Sequence, residues 1–437
     1  MRYIVLFPLY IDPGTGSVLF SIVIGIAATI YFLFHALLIK AKAFFTGGVR
    51  KPAADNRFVI YAEDKRYWSL FKGVVEEFEA RGIELLYLTG SPDDPAFDAQ
   101  YAHVKCELLA KGNKGFARLN FISADFVLAT TPGLDVYQWK RSKGVRHYSH
   151  VIHGVTDATT YRMFGLDYFD SILMTGGYQG EDIRRVEQVR ALARKELVTV
   201  GCGYLDEYRK RLAEMPRGQN HELTVLVSPS WGASALLSRY GEKLLTPLAG
   251  SGCRIIVRPH PQSLISERTA LDRLTARYAS CKNVIWDYER DNIGALSKAD
   301  IMISDFSGII FDYMFLCDKP VLYVNYQFDF RPYDAWFLPE RELWQIKTLR
   351  ETGVELREQD FPQIKTIIQK SLDSTALKEA RVKAKETAWQ YRAAAGKRTA
   401  DFMISKAASL AAVMPDKERG GHAGGKRRKD GGLIEKL

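Results

Sequence analysis

The chain has 437 residues, of which 47% are hydrophobic and 26% charged, and its net charge is +10. This composition excludes a disordered protein, since there are enough apolar side chains for a core, and it excludes a protein lying wholly within a membrane. The length predicts about two domains, and the basic charge is typical of proteins that meet nucleic acid, anionic lipid or phosphorylated substrates. Five widely spaced cysteines without a Cys-x-x-Cys pair argue against a zinc site or disulfide framework and indicate a reducing compartment.

The first element in chain order is an apolar run at residues 17–39 that contains no Asp, Glu, Lys or Arg. As a helix it would rise about 34 Å, which is enough to cross a bilayer. Four basic residues and no acidic residue follow in 40–51, so the positive-inside rule places the C-terminal side in the cytoplasm. We therefore expect residues 1–51 to be a single-pass anchor in the cytoplasmic (inner) membrane, and the alternative is a buried core helix.

Two series of short apolar runs follow, separated by amphipathic stretches. The first series predicts strands at 58–62, 85–88, 126–129, 148–152, 171–174 and 197–200. The second predicts strands at 223–227, 254–257, 283–286, 301–304 and 321–324. Strands that alternate with helices predict parallel sheets covered on both faces. We expect an α/β protein with two Rossmann-like domains facing a cleft, at 52–216 and 217–358, then a helical segment at 359–414 and a disordered basic tail at 415–437.

The first of three polar clusters is His153-Gly154, directly after a predicted strand. Ligands of open parallel sheets bind beyond the carboxyl ends of the strands, so His153 is placed to face the cleft as a general base. Gly154 allows a ligand to approach the backbone closely. The alternative is a histidine that is hydrogen-bonded within its own loop. His150 should point to the opposite face, and we expect it to be structural.

The second cluster is the Arg-Pro-His-Pro sequence at 258–261, where two prolines fix the backbone around a cation and an imidazole. This arrangement suits a phosphate, and the alternative is a rigid strand-to-loop turn. The third cluster is Ser-Asp-Phe-Ser-Gly at 304–308, and a helix is predicted to begin around Ser307. Hydroxyl residues at a helix start cap it or help its free N–H groups bind phosphate. Asp312 follows one turn later as an acceptor for a ribose or acceptor hydroxyl.

Two further segments follow predicted strands and are less specific. Gly201-Cys202-Gly203 has Asp206 where a dinucleotide fingerprint needs its third glycine, so that fingerprint is incomplete. The loop at 228–232 should face the cleft, with Trp231 either available for stacking or buried.

Taken in order, these segments resemble the CDP-glycerol glycerophosphotransferase family of teichoic acid polymerase-like enzymes, over residues 145–345. The resemblance implies a GT-B architecture and transfer of glycerol phosphate from CDP-glycerol to a hydroxyl, with release of CMP. It implies His153 and His260 as catalytic residues. It also implies a substrate-binding set made of Gly154, Arg258, Ser304, Asp305, Ser307, Gly308 and Asp312. This chain departs from the family pattern after His153-Gly154, where Val-Thr-Asp-Ala replaces Thr-Pro-Leu-Lys, and at Gly308, which replaces a second serine.

We expect no cofactor and no metal ion, because fixed cations and N–H donors would stabilise the developing charge. The expected partners are CDP-glycerol or a related CDP-alditol, a lipid-linked or cell-envelope polymer acceptor, and the membrane. Nucleic acid is not expected, since the folded region shows no basic recognition helix. Two alternatives remain: a GT-B glycosyltransferase that uses a nucleotide sugar for cell-surface polysaccharide, and a membrane-tethered binding protein without turnover.

Overall fold

The computed structural model describes residues 29–31, 56–110, 113–215, 222–289, 291–325 and 329–412. The predicted membrane span lies outside the described residues apart from a helical turn at 29–31, and so do the basic flank, the predicted 216/217 boundary and the tail. Within the described residues, no helix is both long and apolar enough to cross a membrane. The chain divides into two units at 53/54, and the fold described below is that of the second unit.

The first domain is built on seven parallel strands. They are β1 (Asn56–Ala62), β2 (Leu85–Thr89), β3 (Val104–Leu108), β4 (Ala124–Ala129), β5 (Val145–Val151), β6 (Ser171–Met174) and β7 (Glu196–Thr199). They pair in the order β3-β2-β1-β4-β5-β6-β7. The connecting helices are α1 (Trp68–Ala80), α2 (Asn113–Asn120), α3 (Tyr178–Val189) and α4 (Gly203–Glu214). Apolar residues at helical spacing explain α1, which buries Leu70, Phe71, Val74, Val75 and Phe78 against the sheet.

The second domain is built on six parallel strands. They are β8 (Thr224–Val227), β9 (Arg254–Val257), β10 (Val284–Trp286), β11 (Ile301–Ser304), β12 (Val321–Tyr323) and β13 (Val354–Glu355). They pair in the order β10-β9-β8-β11-β12-β13. The helices are α5 (Leu236–Ala249), α6 (Ser263–Ser266), α7 (Arg268–Arg277), α8 (Ile293–Lys298), α9 (Ile309–Cys317) and α10 (Trp344–Thr352). The predicted α/β architecture with parallel sheets is therefore confirmed.

Both sheets reverse their strand order once, and the predicted functional segments follow strands at or beside those points. In the first sheet the reversal lies between β1 and β4, and β5 is the next strand. In the second sheet it lies between β8 and β11. A crevice opens where strand order reverses, beyond the carboxyl ends of the strands. The fold thus places His153, which follows β5, and Ser304, which ends β11, at such crevices.

The chain ends with three helices, α11 (Ile364–Leu372), α12 (Thr375–Ala388) and α13 (Ala395–Ala412). The last of these returns to the first domain. Gly396 of α13 crosses Gly73 of α1 so closely that a Cβ on Gly396 would lie 2.5 Å from the Gly73 carbonyl carbon. Phe402 packs edge-on against Phe126 of β4, with 5.9 Å between ring centroids. Residues distant in sequence therefore complete the first domain, and the predicted domain boundaries stay predictions.

Candidate functional site

A cavity of about 300 Å³ lies between the two domains. The first domain lines it with Arg66, Tyr67, Leu70, His153, Gly154, Val155, Thr156 and Tyr204, and the second with Gly308, Ile309 and Asp312. A larger depression of about 410 Å³ lies at the amino-terminal edge of the first sheet. Ligands of open parallel sheets bind at the opposite edge. We therefore take the cavity that contains His153 as the candidate site.

Thr130 orients the imidazole of His153. The Thr130 hydroxyl donates its one proton to the carbonyl oxygen of Val151, at 2.8 Å. Its oxygen lies 3.0 Å from Nδ1 of His153, and the hydroxyl of Tyr161 lies 3.1 Å from the same nitrogen. Since Thr130 has no second proton to donate, we assign the proton of this contact to Nδ1, and the Tyr161 oxygen then lies beside the same N–H as a second acceptor. Nε2 of His153 is then unprotonated, as a general base requires.

The electrostatic environment keeps His153 neutral. Burial lowers the pKa of His153 to about 4, and the positive charge of Arg66 acts in the same direction. The imidazole therefore holds no extra proton at neutral pH and is ready to accept one. His150 is fully buried and packs edge-on against the rings of Tyr161 and Phe169, with ring centroids 5.0 and 5.1 Å apart.

The loop after His153 is held in place from both domains. Tyr178 donates its hydroxyl proton to the Val155 carbonyl at 2.7 Å. The carboxylate of Asp157 accepts hydrogen bonds from the backbone N–H groups of Trp344 and Gln345, both at 2.8 Å, and so caps α10 of the second domain. Burial raises the pKa of Asp157. Asp157, one of the residues that depart from the family pattern, thus ties the His153 loop to the second domain.

The second-domain wall of the cavity is the start of α9. Backbone bonds from Ile310 to the Ser307 carbonyl and from Phe311 to the Gly308 carbonyl, both at 3.1 Å, form its first turn. A Cβ on Gly308 would lie 4.0 Å from Cγ2 of Thr156, so this helix start faces the His153 loop. Backbone N–H groups and the helix dipole favour an anion at such a terminus.

Asp312 lies in the same cavity, one turn into α9. Its Oδ2 accepts a hydrogen bond from the hydroxyl of Tyr204 in α4 of the first domain, at 3.2 Å. Burial raises the pKa of Asp312 to about 7, and the bond from Tyr204 opposes that rise. Near neutral pH the carboxyl group is therefore divided between its protonated and ionised forms, and it can donate or accept a hydrogen bond.

Ser304 and Asp305 are buried, and both form hydrogen bonds with the segment after β8. The Ser304 hydroxyl donates to the Ser228 carbonyl at 2.6 Å. The Asp305 carboxylate accepts from the backbone N–H groups of Ser230 at 2.9 Å and Leu236 at 2.8 Å. The structure thus shows both residues positioning this loop, and a direct contact with the donor stays a prediction for each.

Arg258 and His260 lie elsewhere in the second domain, and among the described residues neither lines the His153 cavity. The Arg258 guanidinium donates to Asp287 at 2.7 Å and to the Glu289 carbonyl at 2.6 Å. Nδ1 of His260 accepts from the backbone N–H of Gln262 at 3.1 Å, and burial lowers the pKa of His260. The neutral ring therefore carries its proton on Nε2. Their predicted contacts with a pyrophosphate stay predictions.

The structure brings together His153, Gly154, Gly308 and Asp312 from the predicted set, and Ser307 lines an adjoining pocket with Thr156. Sequence reasoning missed Arg66, Tyr67, Thr130 and Tyr204. Arg66 and Tyr67 follow β1 at a reversal point, a position that the strand-end rule covers. Among the described residues, no group of three or more His, Cys, Asp or Glu side chains is arranged to hold a metal ion.

The family model described as CDP-glycerol:poly(glycerophosphate) glycerophosphotransferase matches residues 208–336. The match covers most of the second domain, including the segments at 258–261 and 304–313. The predicted resemblance is confirmed, and so is the predicted class of enzyme, one similar to CDP-glycerol glycerophosphotransferases. No curated protein sequence matches the chain.

Solved structures show the same fold. The wall teichoic acid polymerase TagF is 14% identical, with a TM-score of 0.55 over 89% of this chain and 99% of that chain. A TagF variant soaked with CDPG for 30 minutes is also 14% identical, with a TM-score of 0.53 over 89% of this chain and 99% of that chain. A UDP-N-acetylglucosamine 2-epimerase is 11% identical, with a TM-score of 0.54 over 82% of this chain and 98% of that chain. At these identities the likeness concerns the fold, and it agrees with the predicted GT-B-like architecture.

Proposed function

We propose that this chain transfers glycerol phosphate from CDP-glycerol to a hydroxyl group of a lipid-linked or cell-envelope polymer acceptor. The observation that carries the proposal is the cavity between the domains. There an oriented, neutral imidazole on the first domain faces a helix amino terminus and Asp312 on the second. The family match over the second domain supports the choice of CDP-glycerol as donor.

In the proposed reaction, Nε2 of His153 removes the proton from the acceptor hydroxyl as its oxygen attacks the phosphorus that carries glycerol. A new oxygen–phosphorus bond forms while the bond from that phosphorus to the bridging oxygen of the donor breaks. CMP leaves with the electron pair of the broken bond, and the proton stays on His153 until solvent removes it. Holding both substrates in one cavity makes the attack effectively intramolecular.

The electrostatics of the cavity support this reaction. The amino terminus of α9 offers N–H groups to the negative charge that develops on the phosphoryl oxygens. The bound donor is itself an anion, and an anion near His153 raises the pKa of the imidazole above its resting value of about 4. Donor binding therefore strengthens the base at the point in the cycle when it is needed.

We also propose that residues 1–51 anchor the protein in the cytoplasmic membrane with the catalytic domains in the cytoplasm. The proposal rests on the apolar run at 17–39 and the basic flank at 40–51. Such an anchor would hold the cavity near lipid-linked acceptors. Carbonate extraction of membranes from cells that make the full chain tests it: an anchored protein stays in the pellet, and release into the wash contradicts the anchor.

A donor panel on the purified full chain tests the reaction. We expect CMP release from CDP-glycerol with membrane lipid extract as acceptor, and a product mass increased by glycerol phosphate units. His153→Ala should lower the rate by about 10²–10⁴-fold, the usual contribution of a general base. His103→Ala, at an exposed histidine, is the matched control and should behave as wild type. Turnover retained in His153→Ala removes His153 from this role, and nucleotide release from sugar donors alone would identify a nucleotide-sugar glycosyltransferase instead.

A further inference from the structure

Arg66 is a cation on the first-domain wall of the cavity that contains His153. It lies in a short 3₁₀ turn, Lys65–Tyr67, between β1 and α1, and its side chain is 75% exposed. Oδ1 of Asp64 accepts from the backbone N–H of Arg66 at 2.9 Å and from its Nε at 3.0 Å. This bond to Asp64 is made by Nε. It therefore holds the Arg66 side chain without using Nη1 and Nη2, the pair of nitrogens with which an arginine can bind a phosphate.

The charge of Arg66 acts directly on the predicted base. After burial, the guanidinium is the second cause that lowers the pKa of His153. A cation beside a base weakens that base, so the presence of Arg66 in the cavity is a cost to proton abstraction. An anion that binds Arg66 during the reaction removes this cost. Among the described residues that line the cavity, Arg66 is the one Lys or Arg side chain.

We propose that Arg66 binds the phosphate group next to the attacking hydroxyl of the acceptor, an inference that rests on the proposed function. In poly(glycerophosphate), the terminal hydroxyl and its nearest phosphate belong to the same three-carbon glycerol unit. An enzyme that selects this chain end needs a base and a phosphate-binding cation in one small cavity, and His153 and Arg66 are so placed. The bound phosphate neutralises Arg66 and raises the pKa of His153, so the correct acceptor strengthens the base that activates it.

The experiment compares Arg66→Gln with Arg331→Gln in the full chain. Arg331 is a matched control, since it is 74% exposed and its backbone N–H and Nε also bond to Oδ1 of the aspartate two residues before it, at 3.1 and 2.8 Å. CMP release from CDP-glycerol is measured with glycerol 3-phosphate, with neutral glycerol and with membrane lipid extract. Glycerol 3-phosphate is scored both as an acceptor and as an inhibitor of transfer to the lipid extract.

In Arg66→Gln we expect the KM or inhibition constant of glycerol 3-phosphate to rise about tenfold or more, as the loss of a charge-assisted bond implies. The KM values of neutral glycerol and CDP-glycerol should stay unchanged, and Arg331→Gln should match wild type. The acidic limb of the pH–rate profile should move to higher pH in Arg66→Gln, because removing the cation raises the pKa of His153.

Two results would overturn the assignment. If glycerol 3-phosphate behaves alike with Arg66→Gln and wild type, Arg66 does not bind the acceptor phosphate. If the KM of CDP-glycerol rises equally with every acceptor, Arg66 contacts the donor instead. Failure of the proposed function is a different outcome: the wild-type protein would then release no CMP from CDP-glycerol with any of the three acceptors.

Discussion

Thr130 determines which nitrogen of His153 is free to act as a base. Its proton is donated to Val151, and its oxygen therefore accepts from Nδ1 of His153. Neutral imidazole carries one proton, so fixing that proton on Nδ1 leaves Nε2 as the acceptor. The hydrogen bond also fixes the ring orientation. Thr130 is thus a positioning residue that acts through His153.

We predict that Thr130→Val lowers kcat about fivefold with little change in KM. Valine keeps the shape of threonine but removes the oxygen that accepts from Nδ1, and a neutral hydrogen bond contributes about 1 kcal/mol. Steady-state CMP release checks this, and Thr131→Val, at the buried neighbour, is the control. A KM increase with unchanged kcat would show instead that Thr130 helps to bind a substrate.

His153 and Asp312 were predictable as single residues because each stands beside a recognisable strand end or helix start. Arg66 and Thr130 also follow predicted strands, but neither belongs to a motif of the kind that marks His153 and Asp312. Thr130 reaches His153 because β4 pairs with β5 in a register that sets Ala129 opposite His150. Such proximity is produced by the order of strands in the sheet, which local sequence does not encode.

Among the elements, strands buried on both faces were predicted within three residues of their observed bounds, because a parallel strand in the middle of a sheet is a continuous apolar run. The two-residue edge strand β13 was missed, and so was the edge strand β3. Its sequence, Val-Lys-Cys-Glu-Leu, places Lys105 and Glu107 between apolar residues, and these two charges pair with each other. A polar, charged edge blocks pairing with another chain, and it also hides the strand from a search for apolar runs.

At the start of α9, we predict that Gly308→Ser restores the second serine of the family pattern without loss of fold. Gly308 has φ −58° and ψ −24°, which any residue adopts, and a new Cβ would meet no atom closer than 4.0 Å. Removing a glycine from the unfolded chain should stabilise the protein by about 0.5 kcal/mol. Thermal unfolding and CMP release check the result. Gly201→Ser is the contrasting variant and should be destabilised, because Gly201 has φ +100° and a Cβ there would lie 2.6 Å from the Gln390 carbonyl oxygen.

At the scale of the whole molecule, the two domains are joined by a buried charge cluster centred on Arg190, directly after α3. Its guanidinium pairs with Asp167 of the first domain and, at 2.7 Å, with Asp334 from the segment after β12. The rings of Phe164 and Phe337 lie 5.1 and 5.0 Å from it. Arg190 and Asp334 are 144 residues apart in sequence, so no local pattern predicts their contact. The sequence predicts two domains but not what holds them together.

We predict that Arg190→Met destabilises the folded protein by about 3–5 kcal/mol, the cost of leaving buried charges without their partner. Burial already raises the pKa of Asp334, and Arg190 opposes that rise. Without Arg190 the folded-state pKa of the carboxyl group rises further above its unfolded value. Stability of the variant is then retained at low pH, where the group is protonated, and is lost as pH rises through the folded-state pKa. Urea unfolding at pH 5 and pH 8 should show the larger deficit at pH 8.

Arg185→Gln is the matched control for this prediction, because Arg185 lies on α3 and also pairs across the domains, with Glu340 at 3.9 Å. That pair is exposed, with side-chain exposures of 48% and 60%, so its loss should cost no more than about 1 kcal/mol and should not depend on pH in this range. If the domains are coupled mainly through Arg190, the Met variant should also unfold in two separable transitions while Arg185→Gln keeps one. Equal, small effects from both variants would mean that the Asp157 cap on α10 and the return of α13 couple the domains without this cluster.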